Sequence, residues 1–378
     1  MHLVDLTMFY PAVTGGVGTY RAAKARWLHA HGPMRHTIVA PVSPRMPPEA
    51  HVVPIAGVPL PGSHGYRLPL SMRQARRTVE RLQPDLIECG DPYQCAWSGL
   101  RASRNLGVPA IAFYHSDLPT LVGQRLGAAA RRSAQRYVSS LYSQFDLVLT
   151  PSMIMVERLR QLGIGHALRQ PLGVDTAVFS PSSAAPALRD ALGLPPHARL
   201  LVYAGRLTRE KRVPLLLEAV RRLGPPYYLL IMGSGGPLPA TDRVIRLPFQ
   251  SRPAALARLM GGCDLLVHTG EQETFGMVVL EAMACGIPVL GMAAGGVAEL
   301  VSADSGMLVE PNDADALTEG IRTIYHRDLR AMGARARSRM VAQYDWSVVM
   351  PQLLRHYASL AVGAPLGHVA AEGSYAID

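Results

Sequence analysis

The strongest constraint on the fold is an alternation that runs along the chain twice. Short apolar runs at Leu3–Phe9, Thr37–Ala40, Leu86–Cys89, Ala110–Tyr114 and Leu147–Thr150 are separated by helical patterns such as Tyr20–Ala30, Arg73–Gln83 and Val156–Leu162. The pattern restarts at Leu200–Ala204 and continues through Tyr227–Met232, Val244–Leu247, Leu265–Thr269 and Val289–Met292. Brief aliphatic runs between helices fit strands covered on both faces, as in parallel sheets. Two such sets predict an α/β chain with two doubly wound domains facing a central cleft, where ligands meet the carboxyl ends of the strands.

A chain of 378 residues exceeds what one ordinary core fills. The turn chemistry at Pro171-Leu172-Gly173-Val174-Asp175 places the break between domains 1–172 and 173–345. Residues 346–378 then form a C-terminal helix packing back toward the first domain, with a weakly patterned tail from Gly363. Residues 41–66, rich in Pro and Gly, are expected to be a long surface loop. No run of about eighteen apolar residues is present and His2–Leu6 lacks a basic flank, so neither a spanning helix nor a signal peptide is expected. Four cysteines without zinc-ligand spacing point to a reduced, cytoplasmic protein.

Charge is informative by location. Residues 1–175 carry a net charge of +9 and residues 176–378 a net of +1. Arg73, Arg76, Arg77 and Arg81 form one cluster, and Arg125, Arg131, Arg132 and Arg136 another. The second interleaves with Leu126, Tyr137, Val138, Leu141 and Tyr142, as in a helix lying on anionic lipid. Solvated helix faces account for the charge equally well. No nucleic-acid-binding motif accompanies it, so nucleic acid is not an expected partner.

The segment Glu271 to Gly286 concentrates the chemistry. Phe275–Cys285 is rich in helix formers, with Gly286 and Pro288 ending it and Thr274 as the expected N-cap. A helix start presents unpaired N–H groups suited to phosphate. Glu273 precedes that start and Glu281 lies about 1.5 turns inside it. Carboxylates repel phosphate, so their targets are hydroxyls on either side of one, as in a sugar nucleotide. Taken singly, either glutamate is also accounted for by the helix dipole or by solvent.

Gly205-Arg206-Leu207-Thr208-Arg209-Glu210-Lys211-Arg212 precedes Pro214, which suits a first helical turn. Four cations at a helix start are disfavoured by the dipole and by one another, so an anion should compensate them. Lys211 is one of only two lysines beside 36 arginines. Gly15 and Gly16 follow the first strand and would let backbone approach a phosphate, although the spacing is not that of a dinucleotide-binding loop. His115 ends an apolar strand and so would face the cleft. Asp313-Ala314-Asp315 has metal-ligand spacing, but its place before a helical run favours capping, and no metal is expected.

Together these residues resemble a retaining glycosyltransferase of family 4 with the GT-B fold, two Rossmann-like domains facing a cleft. The resemblance rests on Gly15-Gly16, His115, Gly173-Val174-Asp175, Gly205-Arg206 with Lys211, Gly233-Ser234-Gly235 and Glu273 to Glu281. It implies that Arg206 and Lys211 hold the donor diphosphate, that Glu273 binds the transferred sugar, and that Glu281 accepts from the ribose diol. Backbone around Phe275, Gly276, Met277 and Val278, with Gly15, Gly16 and Gly205, would contact the donor, and His115 would touch its sugar. It further implies hexose transfer, with retention, from a UDP- or GDP-sugar to a lipid-linked or polysaccharide acceptor bound by the first domain, with no cofactor. The alternative is a non-catalytic sugar-nucleotide or membrane-binding module on the same scaffold. The basic charge of the first half, read as attraction to lipid, would put the protein at the inner face of a membrane. Whether Glu271 or Glu273 faces the sugar rests on spacing alone.

Overall fold

In the computed structural model the described residues are 1–10, 15–31, 34–43, 51–60, 66–185, 187–239, 241–310 and 313–361. Thr14 and the tail from Gly363 lie outside them.

Among the described residues the first half contributes nine strands. They are β1 (His2–Leu6), β2 (Arg35–Pro41), β3 (Val52–Ile55), β4 (Gly57–Pro59), β5 (Arg67–Pro69), β6 (Leu86–Cys89), β7 (Ala110–Phe113), β8 (Leu147–Thr150) and β9 (Ala167–Arg169). Seven form a parallel sheet in the order β3-β2-β1-β6-β7-β8-β9, and β4 pairs antiparallel with β5. The second half contributes β10 (Arg199–Ala204), β11 (Tyr227–Met232), β12 (Val244–Leu247), β13 (Leu265–His268), β14 (Val289–Met292) and β15 (Gly306–Val309). Their order is β12-β11-β10-β13-β14-β15, all parallel. Both sheets are therefore doubly wound, with switch points between β1 and β6 and between β10 and β13, where open α/β sheets bind ligands.

Three expectations need correction. Residues 41–66 are not simply a loop: β3 extends the first sheet, with Val52 and Ile55 buried. Pro54 is tolerated because β3 is an edge strand. Segments 44–50 and 61–65 lie outside the described residues. Secondly, Val138, Leu141 and Tyr142 of the helix Leu118–Tyr142 are core residues rather than an interfacial face, Tyr142 packing edge-on to Tyr114 at 5.2 Å. Tyr137 is half-buried, its hydroxyl accepting from Trp97 Nε1 at 3.1 Å. Thirdly, Thr274 is not an N-cap, as shown below.

The chain crosses between the two sheets twice, and the crossings touch. Val174 N donates to Tyr344 O at 2.8 Å and Trp346 N to Val174 O at 3.3 Å. The helix Trp346–Ala361 then joins both halves into one apolar cluster. Trp346, Val349, Leu353 and Tyr357 belong to it with Leu86 and Ile111 of the first sheet and Leu200 and Val202 of the second. At about 1.5–3 kcal/mol per large side chain fully buried, this seam is a main source of cohesion between the halves.

One buried element is polar. Asp5 and Glu88 sit side by side on the central strands β1 and β6. Lys24 Nζ, fully buried on the helix Gly16–His31, lies 2.8 Å from a carboxylate oxygen of each. His36 Nε2 is 3.0 Å from the other Asp5 oxygen, and the Tyr357 hydroxyl donates to Glu88. Burial works to raise Asp5, yet Lys24 and then His36 hold it below the usual carboxylate range; burial wins at Glu88, which is raised.

Candidate functional site

The site forms where loops from both switch points converge. From the second half, Gly276 (φ 108°) turns the chain into the helix Met277–Ala284. That backbone conformation suits glycine, and glycine has no side chain to cap the helix. The expected Thr274 cap fails because its hydroxyl is donated to His115 O at 2.9 Å. The helix start is therefore uncapped by the protein, leaving N–H groups of its first turn for another acceptor. From the first half, Gly16 stands opposite: a Cβ there would lie 3.0 Å from Met277 Cγ. Gly15 (φ 95°) immediately precedes it. Met277 and Val278 are half-buried, whereas the Phe275 ring is in the core, 6.1 Å from Tyr344, so only its backbone is offered to the cleft.

The Glu281 carboxylate, one helical turn beyond Met277, is half-buried and has no hydrogen-bond or ion-pair partner among the described residues, while the Glu281 carbonyl accepts from Cys285 N at 3.1 Å. Burial alone pushes its carboxyl up to about 8. A carboxylate partly withdrawn from water without a partner is costly unless a ligand supplies donors.

The cations gather at the carboxyl end of β10, against the loop that bears Glu273. Lys211 pairs with Glu273, and His268 Nε2 lies 3.2 Å from the same Glu273 oxygen. Lys211 O accepts from Thr269 Oγ1 at 2.6 Å, fixing the backbone on the neighbouring loop. Burial and then the Arg206 guanidinium draw the Lys211 ammonium down to about 8, against Glu210. The Glu273 carboxylate in contact with it favours the charged form as well. Burial and Lys211 push His268 down to about 3, so its ring is neutral and Nε2–H is the donor to Glu273.

Arg206 is the freer cation. Its guanidinium is 60% exposed and only 3.8 Å from Glu210, while its carbonyl is held by the Tyr203 hydroxyl at 2.7 Å. Gly205 N donates to Met232 O at 3.0 Å, and Gly233 packs directly on the Gly205 carbonyl, where a Cβ would approach to 2.2 Å. Arg212 pairs instead with Glu271. The two neighbouring acids thus have different partners, which spacing could not show.

His115 follows β7. Its ring stacks on Phe113 (4.2 Å, 9°) and lies 5.3 Å from Tyr20. Burial, then Lys24 and Arg21, lower it to about 3 against the pull of Asp5. It is therefore a neutral ring at physiological pH.

The structure thus brings Arg206, Lys211, Glu273 and Gly205 together on one side of the helix start, with Glu281 inside that helix, Gly16 opposite and the His115 carbonyl bound to Thr274. The sequence reading missed His268, Tyr203 and Thr269. His268 carried a signal, since it ends an apolar strand as His115 does. Asp313, as expected, caps a helix: it accepts from Asp315 N and Ala316 N, each at 3.0 Å.

Residues 14–178 match the family described as Glycosyltransferase Family 4, and residues 185–340 match Glycosyl transferases group 1. The chain is 31% identical to a GDP-mannose-dependent alpha-mannosyltransferase of Mycolicibacterium smegmatis, covering 85% of this chain and 88% of that one. It is 30% identical to a GDP-mannose-dependent alpha-(1-6)-phosphatidylinositol dimannoside mannosyltransferase of Mycobacterium tuberculosis, covering 97% and 98%. Among solved structures, sucrose-phosphate synthase from Thermosynechococcus elongatus superimposes with a TM-score of 0.80 at 22% identity, covering 96% of this chain and 99% of that one. Anabaena HepE, bound to UDP and glucose, gives 0.72 at 21%, covering 95% and 99%. The architecture is that of the GT-B fold.

Proposed function

Since the chain belongs to glycosyltransferase family 4, a retaining family that uses nucleotide-sugar donors, we propose that it transfers mannose from GDP-mannose to a lipid-linked glycan. The half-buried Glu281 carboxylate, without a partner among the described residues and one turn inside an uncapped helix start, is the observation that carries this. Hydroxyl acceptors flank an anion site, in the order ribose, diphosphate, sugar. The donor preference follows the two mycobacterial relatives, both of which are named for GDP-mannose.

In this reading residues 173–345 hold the donor, residues 1–172 receive the acceptor, and the helix Trp346–Ala361 ties the two together. Glu281 accepts from the ribose diol. The first-turn N–H groups of Met277–Ala284, Arg206 and Lys211 hold the diphosphate, with Gly15, Gly16 and Gly205 allowing close backbone approach. Glu273, oriented by Lys211 and His268, binds hydroxyls of the sugar, whereas Glu271 is tied up with Arg212. Neutral His115 meets the sugar from the opposite half. The acceptor oxygen attacks the anomeric carbon on the face from which the diphosphate departs; the glycosidic C–O bond to phosphate breaks and the acceptor proton passes to the leaving phosphate. Arg206 and Lys211 stabilise the charge that develops there, commonly the largest catalytic contribution.

No described helix is long and apolar enough to cross a membrane. Exposed Arg73, Arg77 and Arg81, with Arg125, Arg131 and Arg132 beside exposed Leu121 and Leu126, form the face that meets anionic lipid at a cytoplasmic membrane surface.

The test is to incubate the protein with labelled GDP-mannose, GDP-glucose, UDP-glucose and UDP-galactose and a lipid-linked mannoside, and to measure free nucleotide and product anomer. Release from GDP-mannose with an α-linked product is expected. Release only from a UDP-sugar would overturn the donor assignment, and binding without any release would leave a non-catalytic sugar-nucleotide module.

A further inference from the structure

A contact between the halves lies beside the donor site without belonging to it. The helix Met153–Gln161, in the first half, begins after Ser152, a residue type that normally caps its own helix. Ser152 makes no such bond; its hydroxyl is donated across the cleft to Thr274 O at 2.7 Å. The vacant cap is filled from the second half by Glu299, which accepts from Met153 N at 2.9 Å and Ile154 N at 2.6 Å. A carboxylate there is favoured by the helix dipole and by charge-assisted hydrogen bonds. Among the described residues no Lys or Arg side chain pairs with the Glu299 carboxylate, so this helix start is its counterpart.

Glu299 is rigidly joined to the loop that bears Glu273. Gly296 N donates to Glu273 O at 2.7 Å. A Cβ on Gly296 would sit 2.6 Å from Phe275 Cα, and one on Gly295 2.7 Å from Glu273 O, so the two segments are in backbone contact. Arg339 holds the other end of Val297–Leu300, donating to Leu300 O at 2.7 Å and Glu299 O at 3.2 Å. Thr274, between Glu273 and Phe275, meanwhile donates to His115 O. Any shift of Glu299 relative to the helix Met153–Gln161 must therefore also shift Glu273 relative to His115.

We propose that Glu299 is a positioning residue for glycosyl transfer: by capping a helix of the opposite half, it fixes the Glu271–Gly276 loop against His115. This rests on the assignment of Glu273 and Glu281 to the donor. Arg206, Lys211, Glu281 and the helix start all belong to the second half, so the nucleotide site survives without the latch. Alignment across the cleft does not, and displacements of about 1 Å from productive geometry cost about a hundredfold in rate.

Glu299→Gln, Glu299→Ala and Ser152→Ala test this on the full chain. GDP affinity, by calorimetry, should stay within about twofold of wild type in all three. The kcat for transfer should fall about tenfold to a hundredfold in Glu299→Ala, the loss of two hydrogen bonds to a charged group, with smaller losses in Glu299→Gln and Ser152→Ala. Small-angle scattering should show a larger radius of gyration for Glu299→Ala than for wild type. Transfer retained within about twofold in Glu299→Gln and Glu299→Ala would overturn the proposal. So would an equal loss of GDP affinity and kcat, since Glu299 would then merely support the nucleotide pocket. Should Glu299→Ala not fold, Glu299→Gln decides alone on the same two readouts. If wild type itself binds no GDP, the donor assignment fails, while the scattering comparison still reports on the latch.

Discussion

Lys211 and Glu273 meet as an ion pair at the floor of the cleft, with His268 on the same carboxylate oxygen. In the proposed mechanism the pair gives one cation two tasks, orienting the carboxylate assigned to the sugar and meeting the diphosphate as it departs. Lys211→Ala should therefore lower kcat by about 10²–10³, the scale of removing one preorganised charge from a transition state. Far-UV circular dichroism should be unchanged, because the backbone there is held by Thr269 and by the helix that follows. Turnover at the wild-type rate would remove Lys211 from the diphosphate site.

With Glu281 assigned to the ribose diol, the affinity for nucleotide should depend on pH. Burial raises its carboxyl from 4.5 to about 8, so the folded protein carries a proton there that the unfolded chain lacks between those values. Binding more protons when folded means stability falls as pH rises through that window. The penalty is absent below about pH 4.5 and complete above about pH 8. Glu281→Gln should accordingly raise the melting temperature over wild type at pH 9 and leave it nearly unchanged at pH 4.5. A ribose diol donates to the carboxylate, so GDP binding at pH 7 should release a proton, seen by calorimetry in buffers of different ionisation enthalpy. Glu281→Gln should abolish that release; a release that persists would place the titrating group elsewhere.

The other lysine, Lys24, is structural. It neutralises one of two carboxylates on adjacent central strands. Removing one partner of a buried ionic cluster leaves uncompensated charge, so Lys24→Met should cost about 3–5 kcal/mol in urea denaturation. Tyr357→Phe, which removes only a hydroxyl donor to Glu88, should cost about 1–3 kcal/mol. A Lys24→Met protein as stable as wild type would show that both acids are protonated in the fold.

What the sequence made legible follows from which forces act locally. Both doubly wound sheets could be read because buried parallel strands appear as aliphatic runs, and Leu200–Ala204 or Leu86–Cys89 need no distant partner to be recognised. Strands β3, β9 and β15 escaped because they are short and half-buried, held by the sheet rather than by their own composition. Glu273, Glu281, Arg206 and Lys211 stood out through charge at a helix start. Which acid each cation chooses did not, since the pairs Lys211–Glu273 and Arg212–Glu271 join segments about sixty residues apart. The Thr274 cap was misread for a related reason: its hydroxyl has a partner 159 positions away, in His115. A local rule holds only while no tertiary partner competes.

The lipid-facing reading of the first half is now narrower than charge alone allowed. Of the apolar residues interleaved with the second arginine cluster, Leu126 is 73% exposed, while Val138, Leu141 and Tyr142 are fully packed. Leu126 stands just before Gly127, where the helix Leu118–Tyr142 is kinked, with Arg125, Arg131 and Arg132 exposed around it. A single leucine inserted among arginines gains from both burial and attraction to anionic headgroups. Each arginine near such a surface is worth about 1 kcal/mol, so Arg131→Ala with Arg132→Ala should weaken binding to phosphatidylserine vesicles about thirtyfold at low salt. Raising the ionic strength should weaken wild-type binding in the same direction, because the Debye length shrinks to about 8 Å at physiological salt. Leu126→Asp should weaken binding to the same vesicles at every salt concentration, while leaving nucleotide release from the donor in solution unchanged. Vesicle flotation reads all three, and equal binding to neutral vesicles would discard the electrostatic half of the argument while Leu126→Asp tested the other.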